Sequence, residues 1–356
     1  LIADYVLSYK GIPLAVVEAK SDELEVGEGV AQAKLYAEKL RLKTTFAANG
    51  KEIYQVCQNL GTEGLVDRFP TPEELWERTY GESNEWLNRF SDVPFEDNTR
   101  QPRYYQQLAI NKALEALAAG KERVLLTLAT GTGKTFIASQ IAWKLFKSRW
   151  NLQRDAKRSP RILVLADRNI LANQAYLDFT AFNEDALVRI NPKEISKRGE
   201  VPKNGSVFFT IFQTFMSGAD SEKYYEEYDP SFFDLIIIDE CHRGGANDES
   251  SWRGILDYFS EAVHLGLTAT PKRTDNADTY DYFGEPVFTY SLKEGIQDGF
   301  LTPFKVKRIQ TTIDEYVYTP DDEVIEGEVS DGQVYEEKDF NKTIVIEERE
   351  RTRVLE

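Results

Sequence analysis

The chain has 356 residues, 41% hydrophobic and 29% charged, ordinary proportions for a globular protein of two or three domains. No apolar run approaches the ~18 residues of a membrane span, and the two distant cysteines and two histidines argue against a disulfide framework or a zinc site, which fits a reducing cytoplasm. The net charge of −17 describes the whole surface and leaves room for a local basic groove.

The chain opens on Leu1-Ile2-Ala3-Asp4 in mid-strand, so an upstream segment is expected. Residues 2–7 read as one strand, Tyr9-Lys10-Gly11 as a turn, and residues 12–20 as a second, apolar strand. This hairpin carries Asp4 on one arm and Glu18 and Lys20 on the other. Residues two apart point to the same side of a strand. Two carboxylates beside a lysine can hold Mg²⁺ and place a water for attack on a phosphodiester. A helix is expected from about Gly29 to Leu42, with Val30, Ala33, Ala37 and Leu40 as its buried stripe. Gln32 and Tyr36 are i, i+4 neighbours on another face, able to look at the same centre. Residues 45–48 and 52–56 flank Asn49-Gly50, a strong hairpin signal.

Residues 68–98 read as a helical connector. Pro72 sits where a first helical turn tolerates it, and Trp76, Tyr80, Trp86, Leu87 and Phe90 pack it onto a neighbour.

From residue 99 to 290 apolar strands alternate with helices, which implies a parallel sheet covered on both faces, with ligands at the carboxyl ends of the strands. Val124–Leu128 is a strand, Ala129 to Gly133 a small-residue loop, and Gly133-Lys134-Thr135 opens a helix. Backbone N–H groups of Thr130, Gly131, Thr132 and Gly133 can turn toward one anion, and the helix start adds its positive dipole end. Lys134 reaches the β- and γ-phosphates of ATP, and the Thr135 hydroxyl ligates Mg²⁺. The full pattern wants glycine six positions before Lys134, where Leu128 stands. Upstream, Arg103-Tyr104-Tyr105-Gln106 precedes a helix striped by Ile110, Ala113, Leu114 and Leu117. The Gln106 amide offers a donor and an acceptor to the edge of adenine. The run 234–238 makes a central strand ending in Asp239-Glu240; Asp239 holds Mg²⁺, mainly through water, and Glu240 orients and deprotonates the attacking water. Thr268-Ala269-Thr270 ends another strand with hydroxyls that can couple ATP state to movement.

Residues 291–356 read as a bridging helix, an acidic, turn-rich stretch from Asp314 to Phe340 that is either an inserted hairpin or a mobile arm, and a helix over 344–354. Nothing here resembles the later motifs of a two-lobed motor.

Two resemblances organise these readings. Asp4, Glu18-x-Lys20 and Gln32-x-x-x-Tyr36 resemble the PD-(D/E)xK nuclease fold with a Gln-x-x-x-Tyr element, although Ala3 replaces the usual proline. The resemblance implies that Asp4 and Glu18 bind Mg²⁺, that Lys20 positions or activates the nucleophile, and that Gln32 and Tyr36 support cleavage. Gly131-x-Gly133-Lys134-Thr135, Asp239-Glu240-Cys241-His242 and Thr268-Ala269-Thr270 resemble superfamily 2 helicases of the DExH type over about residues 100–275. This implies an adenine-reading Arg103 and Gln106, a coupling role for His242, Thr268, Ala269 and Thr270, and DNA contacts at Arg168 and Thr214. Ala129 to Thr135, Leu165 to Arg168 and Asp239 to Gly244, together with the order nuclease then motor, resemble the R (HsdR) subunit of type I restriction enzymes. There an apolar residue at the Leu128 position is common.

The expected fold is therefore α/β: a partial nuclease core (1–67), a helical connector (68–98), a RecA-like ATPase lobe (99–290), and a bridge with the start of a second lobe (291–356). The expected activity is ATP-dependent translocation and cutting of double-stranded DNA, with methyltransferase (M) and specificity (S) subunits as partners, ATP and Mg²⁺ as cofactors, no membrane, and a cytoplasmic location. Another nuclease-fused superfamily 2 enzyme, of type III restriction or repair, and a DNA-remodelling ATPase with a purely structural hairpin are the alternatives.

Overall fold

The computed structural model describes residues 3–58, 60–81, 84–95, 101–166, 179, 181–217, 223–241, 249–269, 279–303, 315–317 and 334–336. The chain divides into two compact units, Leu1–Leu301 and Thr302–Glu356.

Strands β1 (Tyr5–Tyr9) and β2 (Ile12–Ala19) form an antiparallel hairpin. Lys10 (φ 51°) and Gly11 (φ 74°) are both left-handed, as the tight turn of a twisted hairpin demands. Among the described residues the first strand begins at Tyr5, with Ala3 and Asp4 outside it. Its ladder starts with Tyr5 opposite Val17, so Asp4 stands just ahead of it. Helix α1 (Val30–Lys39) connects β2 to the parallel strand β3 (Thr44–Ala48). It stops short of Leu42 because Arg41 turns left-handed (φ 53°). The N–H groups of Arg41 and Leu42 then bond back to the carbonyls of Glu38 and Ala37, a Schellman ending made without glycine. Strands β4 (Ile53–Cys57) and β5 (Thr62–Val66) complete a sheet of order β1-β2-β3-β4-β5. Val16 packs with Tyr36, Ala37 and Leu42 under α1, while Ile12, Leu14 and Val17 join a larger core.

That larger core runs through the connector. Helix α2 (Pro72–Tyr80) starts at a capping box in which Thr71 and Glu74 exchange hydrogen bonds. In α3 (Glu85–Asp92) the Asn84 side chain accepts the N–H groups of Trp86 and Leu87. Trp76, Trp86, Leu87 and Phe90 are buried in one cluster with the helices at 104–118 and 134–147. Lys144 fastens the joint, donating to the carbonyls of Phe90 (3.2 Å) and Val93. Burial pushes its ammonium pKa down to about 8.

The seven-stranded sheet is built from β6 (Arg123–Leu128), β7 (Ile162–Ala166), β8 (Leu187–Arg189), β9 (Val207–Ile211), β10 (Leu235–Asp239), β11 (Val263–Thr268) and β12 (Phe288–Tyr290). All its pairings are parallel, in the order β12-β6-β11-β10-β7-β9-β8. The strands read as continuous apolar runs because both faces are covered. Side-chain alternation then assigns each residue a side. Leu235 and Ile237 face the cluster of helices α4 (Tyr104–Ala118) and α5 (Lys134–Lys147). Ile236 and Ile238 face Phe215, Ile255, Leu256 and Phe259. Asp298 ties the first sheet to the second: it accepts from Lys39 of α1 (2.5 Å), Tyr290 of β12 (2.8 Å) and Tyr104 of α4. Burial works against its ionisation, but these donors hold its carboxyl below the usual range.

In the second unit the described residues form an antiparallel pair, Glu315–Val317 with Val334–Glu336, Tyr316 opposite Tyr335. This lies within the acidic stretch; the helix expected over 344–354 falls outside the described residues. Among the described residues no helix is long and apolar enough to cross a membrane.

Candidate active sites

At the carboxyl end of β6 the loop 129–133 turns into α5. Leu128 explains the departure from the glycine pattern: it still belongs to the strand, is fully buried and pairs with Tyr290, so the loop proper begins at Ala129. Gly131 (φ 83°) and Gly133 (φ 84°) are left-handed. A Cβ on Gly133 would also lie 2.6 Å from Gln106 Nε2, so a side chain there would both strain the backbone and displace that amide. The Thr132 hydroxyl closes the loop on the Ala129 carbonyl at 2.6 Å. Thr130 and Gly131 are exposed, Thr132 and Lys134 buried, and Thr135 half-buried.

Central strand β10 delivers Asp239 and Glu240 beside this loop. Lys134 Nζ meets Glu240 Oε1 at 3.1 Å. Glu240 is left-handed (φ 51°), an uncommon state for a non-glycine residue and one that concentrates at functional sites. Its N–H bonds to Asp239 Oδ1 at 3.0 Å. The neighbouring Cys241 thiol is buried, and burial, reinforced by the Asp239 and Glu240 carboxylates, pushes its pKa up, so it stays protonated. Thr268 ends β11 fully buried and Ala269 follows it half-buried. Thr214 lies half-buried in the short helix Phe212–Met216. Arg168, His242 and Thr270 fall outside the described residues.

The expected adenine reader, Gln106, is fully buried. Its Nε2 donates to the Thr132 carbonyl (2.8 Å) and its Oε1 accepts from the Arg103 N–H (2.9 Å). The sequence reading passed over Tyr105, whose hydroxyl donates to the same Thr132 carbonyl at 3.0 Å. Its position beside Gln106 was the available signal. The Arg103 guanidinium lies over the Phe300 ring, 4.8 Å from its centroid.

A second polar site sits on the first sheet. The register of Tyr5 opposite Val17 brings residue 4 level with residue 18, and Asp4 Oδ2 accepts the Ala19 N–H at 2.8 Å. Lys20 Nζ donates to Glu18 Oε1 (2.8 Å) and to Gln32 Oε1 (3.1 Å). Gln32 Nε2 in turn donates to the Tyr36 hydroxyl (2.9 Å). The five expected residues are thus gathered where β2 meets α1. Glu18 is 2% exposed, and its Oε2 is buried with no hydrogen-bond partner. A buried carboxylate oxygen with an open position fits a cation ligand. The hydrogen bond from Lys20 to Glu18 holds the ammonium pKa above its ordinary value of 10.5. Among the described residues no group of three or more His, Cys, Asp and Glu side chains assembles a metal cluster.

Fold and site together define an α/β chain with a phosphate-loop sheet and a separate carboxylate–lysine site. Residues 99–273 match the ResIII family, described as "Type III restriction enzyme, res subunit". Along almost its whole length the chain is homologous to type I subunits. It is 43% identical to the endonuclease subunit of the type I restriction enzyme EcoAI from Escherichia coli, over 98% of this chain and 43% of that subunit. With the EcoKI endonuclease subunit of Escherichia coli strain K12 it shares 28% identity, over 97% of this chain and 35% of that one. A solved fragment of an HsdR subunit of a type I restriction enzyme from Vibrio vulnificus YJ016 is 45% identical, with a TM-score of 0.70 over 85% of this chain and 52% of that one. The chain spans less than half the length of these two curated relatives. The expected mixed α/β fold with its parallel seven-stranded sheet stands, shared with the Vibrio fragment.

Proposed function

We propose that this chain is the motor and cutting part of a type I restriction endonuclease subunit, translocating double-stranded DNA with ATP and cleaving it in a complex with M and S subunits. The observation that carries the reading is the hydrogen-bond chain Tyr36–Gln32–Lys20–Glu18, with Asp4 fastened across the hairpin, in one compact unit with the Lys134–Glu240 site. A surface ion pair would not leave a buried carboxylate oxygen open, as Glu18 does. Similarity to a type I endonuclease subunit along 98% of this chain favours this over a type III enzyme, whose family description covers residues 99–273 only.

At the motor site the loop backbone and Lys134 bind the phosphates of ATP, and Thr135 and Asp239 hold its Mg²⁺. Glu240 then takes the proton of the attacking water. Arg103 and Gln106 stand on the adenine side in this reading, with Gln106 buried behind the loop and bonded to the Thr132 carbonyl and the Arg103 N–H. At the second site Asp4 and Glu18 hold a divalent ion, which when bound polarises the phosphodiester and lowers the pKa of a water. Lys20, held as an ammonium, steadies the developing negative charge, and Gln32 and Tyr36 fix its direction.

The test is Lys20→Ala in the assembled restriction complex. DNA cutting should be lost while DNA-stimulated ATP hydrolysis stays near wild type. Undiminished cutting would refute the nuclease assignment and favour a remodelling ATPase.

A further inference from the structure

Two side chains converge on one carbonyl behind the phosphate loop. Tyr105 Oη and Gln106 Nε2 both donate to the Thr132 oxygen, at 3.0 and 2.8 Å. Both residues are fully buried. The Tyr105 ring is held in place by a parallel stack on Tyr290 (centroids 4.2 Å apart, planes at 7°) and by the edge of Phe300. Arg103 Nη1 reaches the same hydroxyl at 3.4 Å.

A trans peptide is planar, so its C=O and the following N–H point in opposite directions. Holding the Thr132 carbonyl toward Tyr105 and Gln106 therefore holds the Gly133 N–H toward the opposite side of the loop, where an anion would sit. We infer that Tyr105 is a positioning residue for nucleotide binding: its hydroxyl, with the Gln106 amide, locks the 132–133 peptide so that the Gly133 N–H is already aimed at phosphate. Gly133 fits the same design, because any Cβ there would strike the Gln106 amide. The role rests on the reading of this loop as an ATP site and assigns to it a residue outside the phosphate-loop pattern.

Preorganisation of a donor acts on bound phosphate before and during hydrolysis, so its loss should raise KM and leave kcat nearly unchanged. The experiment titrates the wild-type chain, Tyr105→Phe, Gln106→Glu and Lys134→Ala with a fluorescent ATP analogue and Mg²⁺, and records melting without nucleotide. Tyr105→Phe keeps the ring stack and removes one hydrogen bond. It should bind about tenfold more weakly, with melting lowered by no more than the few degrees that one buried hydrogen bond contributes. Gln106→Glu removes the amide donor and sets a carboxylate against the carbonyl, and should bind more weakly still. In an isotope-labelled chain, the Gly133 amide resonance should shift with Mg·ATP in wild type and shift less in Tyr105→Phe, a readout that a general loss of stability would not produce. Equal affinities and equal Gly133 shifts would overturn the inference while leaving the ATP site intact. A wild-type chain that binds the analogue no better than Lys134→Ala would instead overturn the ATP reading itself.

Discussion

Lys134 Nζ and Glu240 Oε1 stand 3.1 Å apart, joining the first residue of α5 to the residue after β10. Both side chains lie largely out of solvent, 9% and 14% exposed, so the contact is only weakly screened. On the proposed reading the cation that would bind phosphate is held on the group that would activate water. A bound triphosphate would then compete with Glu240 for Lys134 and free the carboxylate to face the water.

Glu240→Gln should therefore keep ATP affinity within about threefold of wild type, since the neutral amide no longer competes for Lys134. Hydrolysis should fall by about a hundredfold or more, the usual contribution of a general base. Phosphate release and analogue binding, measured on the same preparation, check this. Turnover near the wild-type rate would exclude Glu240 as the base.

Lys20 gives a prediction about pH. Its pKa is raised above 10.5, chiefly by the hydrogen bond to Glu18, so the ammonium persists through the neutral and mildly alkaline range. Lys20 then acts as a cation rather than as a base. DNA cleavage should show no rise with pH between about 7 and 9.5 that depends on Lys20, and Lys20→Arg should retain part of the activity because arginine keeps the charge. A cleavage profile that climbs through this range in wild type and is flat in Lys20→Arg would show that deprotonated lysine is the working form.

These two sites differ in how far local spacing exposes them. Lys134-Thr135 and Asp239-Glu240 are legible because parallel strands buried on both faces read as apolar runs, and each motif stands at a run's end. Glu18 in β2 and Lys20 just past its end share a side by the period of a strand, and Gln32 and Tyr36 share a face of α1 by the period of a helix. That Gln32 reaches across to Lys20 depends on how α1 lies on the sheet, which no periodicity reports. The same holds for the Tyr105 hydroxyl on Thr132 and for Lys39 on Asp298, a contact 259 residues apart in sequence. Strands β8 and β12 escaped because three residues carry too little pattern, and α1 ended early because Arg41 takes a conformation usually left to glycine.

His264, at the start of β11, should make the fold acid-sensitive. It is fully buried, with Nε2 3.1 Å from the Phe259 carbonyl and Nδ1 2.6 Å from the Tyr282 hydroxyl. A carbonyl only accepts, so Nε2 carries the proton and Nδ1 accepts from Tyr282. Burial, with the Arg123 cation nearby, lowers the imidazole pKa to about 3. The unfolded chain takes up this proton near pH 6.5 and the folded chain does not. The stability tied to a neutral His264 is thus fully present above about pH 6.5 and falls as pH drops toward 3. His264→Gln, which stays neutral, should show a shallower loss over that window in urea unfolding. Parallel wild-type and variant curves from pH 7 to 4 would contradict the assignment.

Asp234 anchors the opposite end of β10 from Asp239. It is fully buried, and its oxygens accept from the N–H groups of Leu152 (3.0 Å) and Arg161 (2.8 Å). The Arg158 guanidinium completes a two-pronged contact at 2.6 and 2.9 Å, and its pKa is raised by that bond. Asp234→Ala leaves two backbone donors and a guanidinium without their acceptor. The expected loss is ~3–5 kcal/mol of unfolding free energy, the range for breaking a buried pair from one side. Arg158→Ala should cost less, because the carboxylate keeps both backbone donors. Five residues at ~3.3 Å each put Asp234 roughly 16 Å from Asp239 along the strand. ATP-analogue affinity below the unfolding transition should therefore match wild type. An Asp234→Ala chain whose urea midpoint is unchanged would show that the segment holds its path without this carboxylate; one that is as stable as wild type but binds nucleotide poorly would place Asp234 in the motor's coupling rather than in its framework.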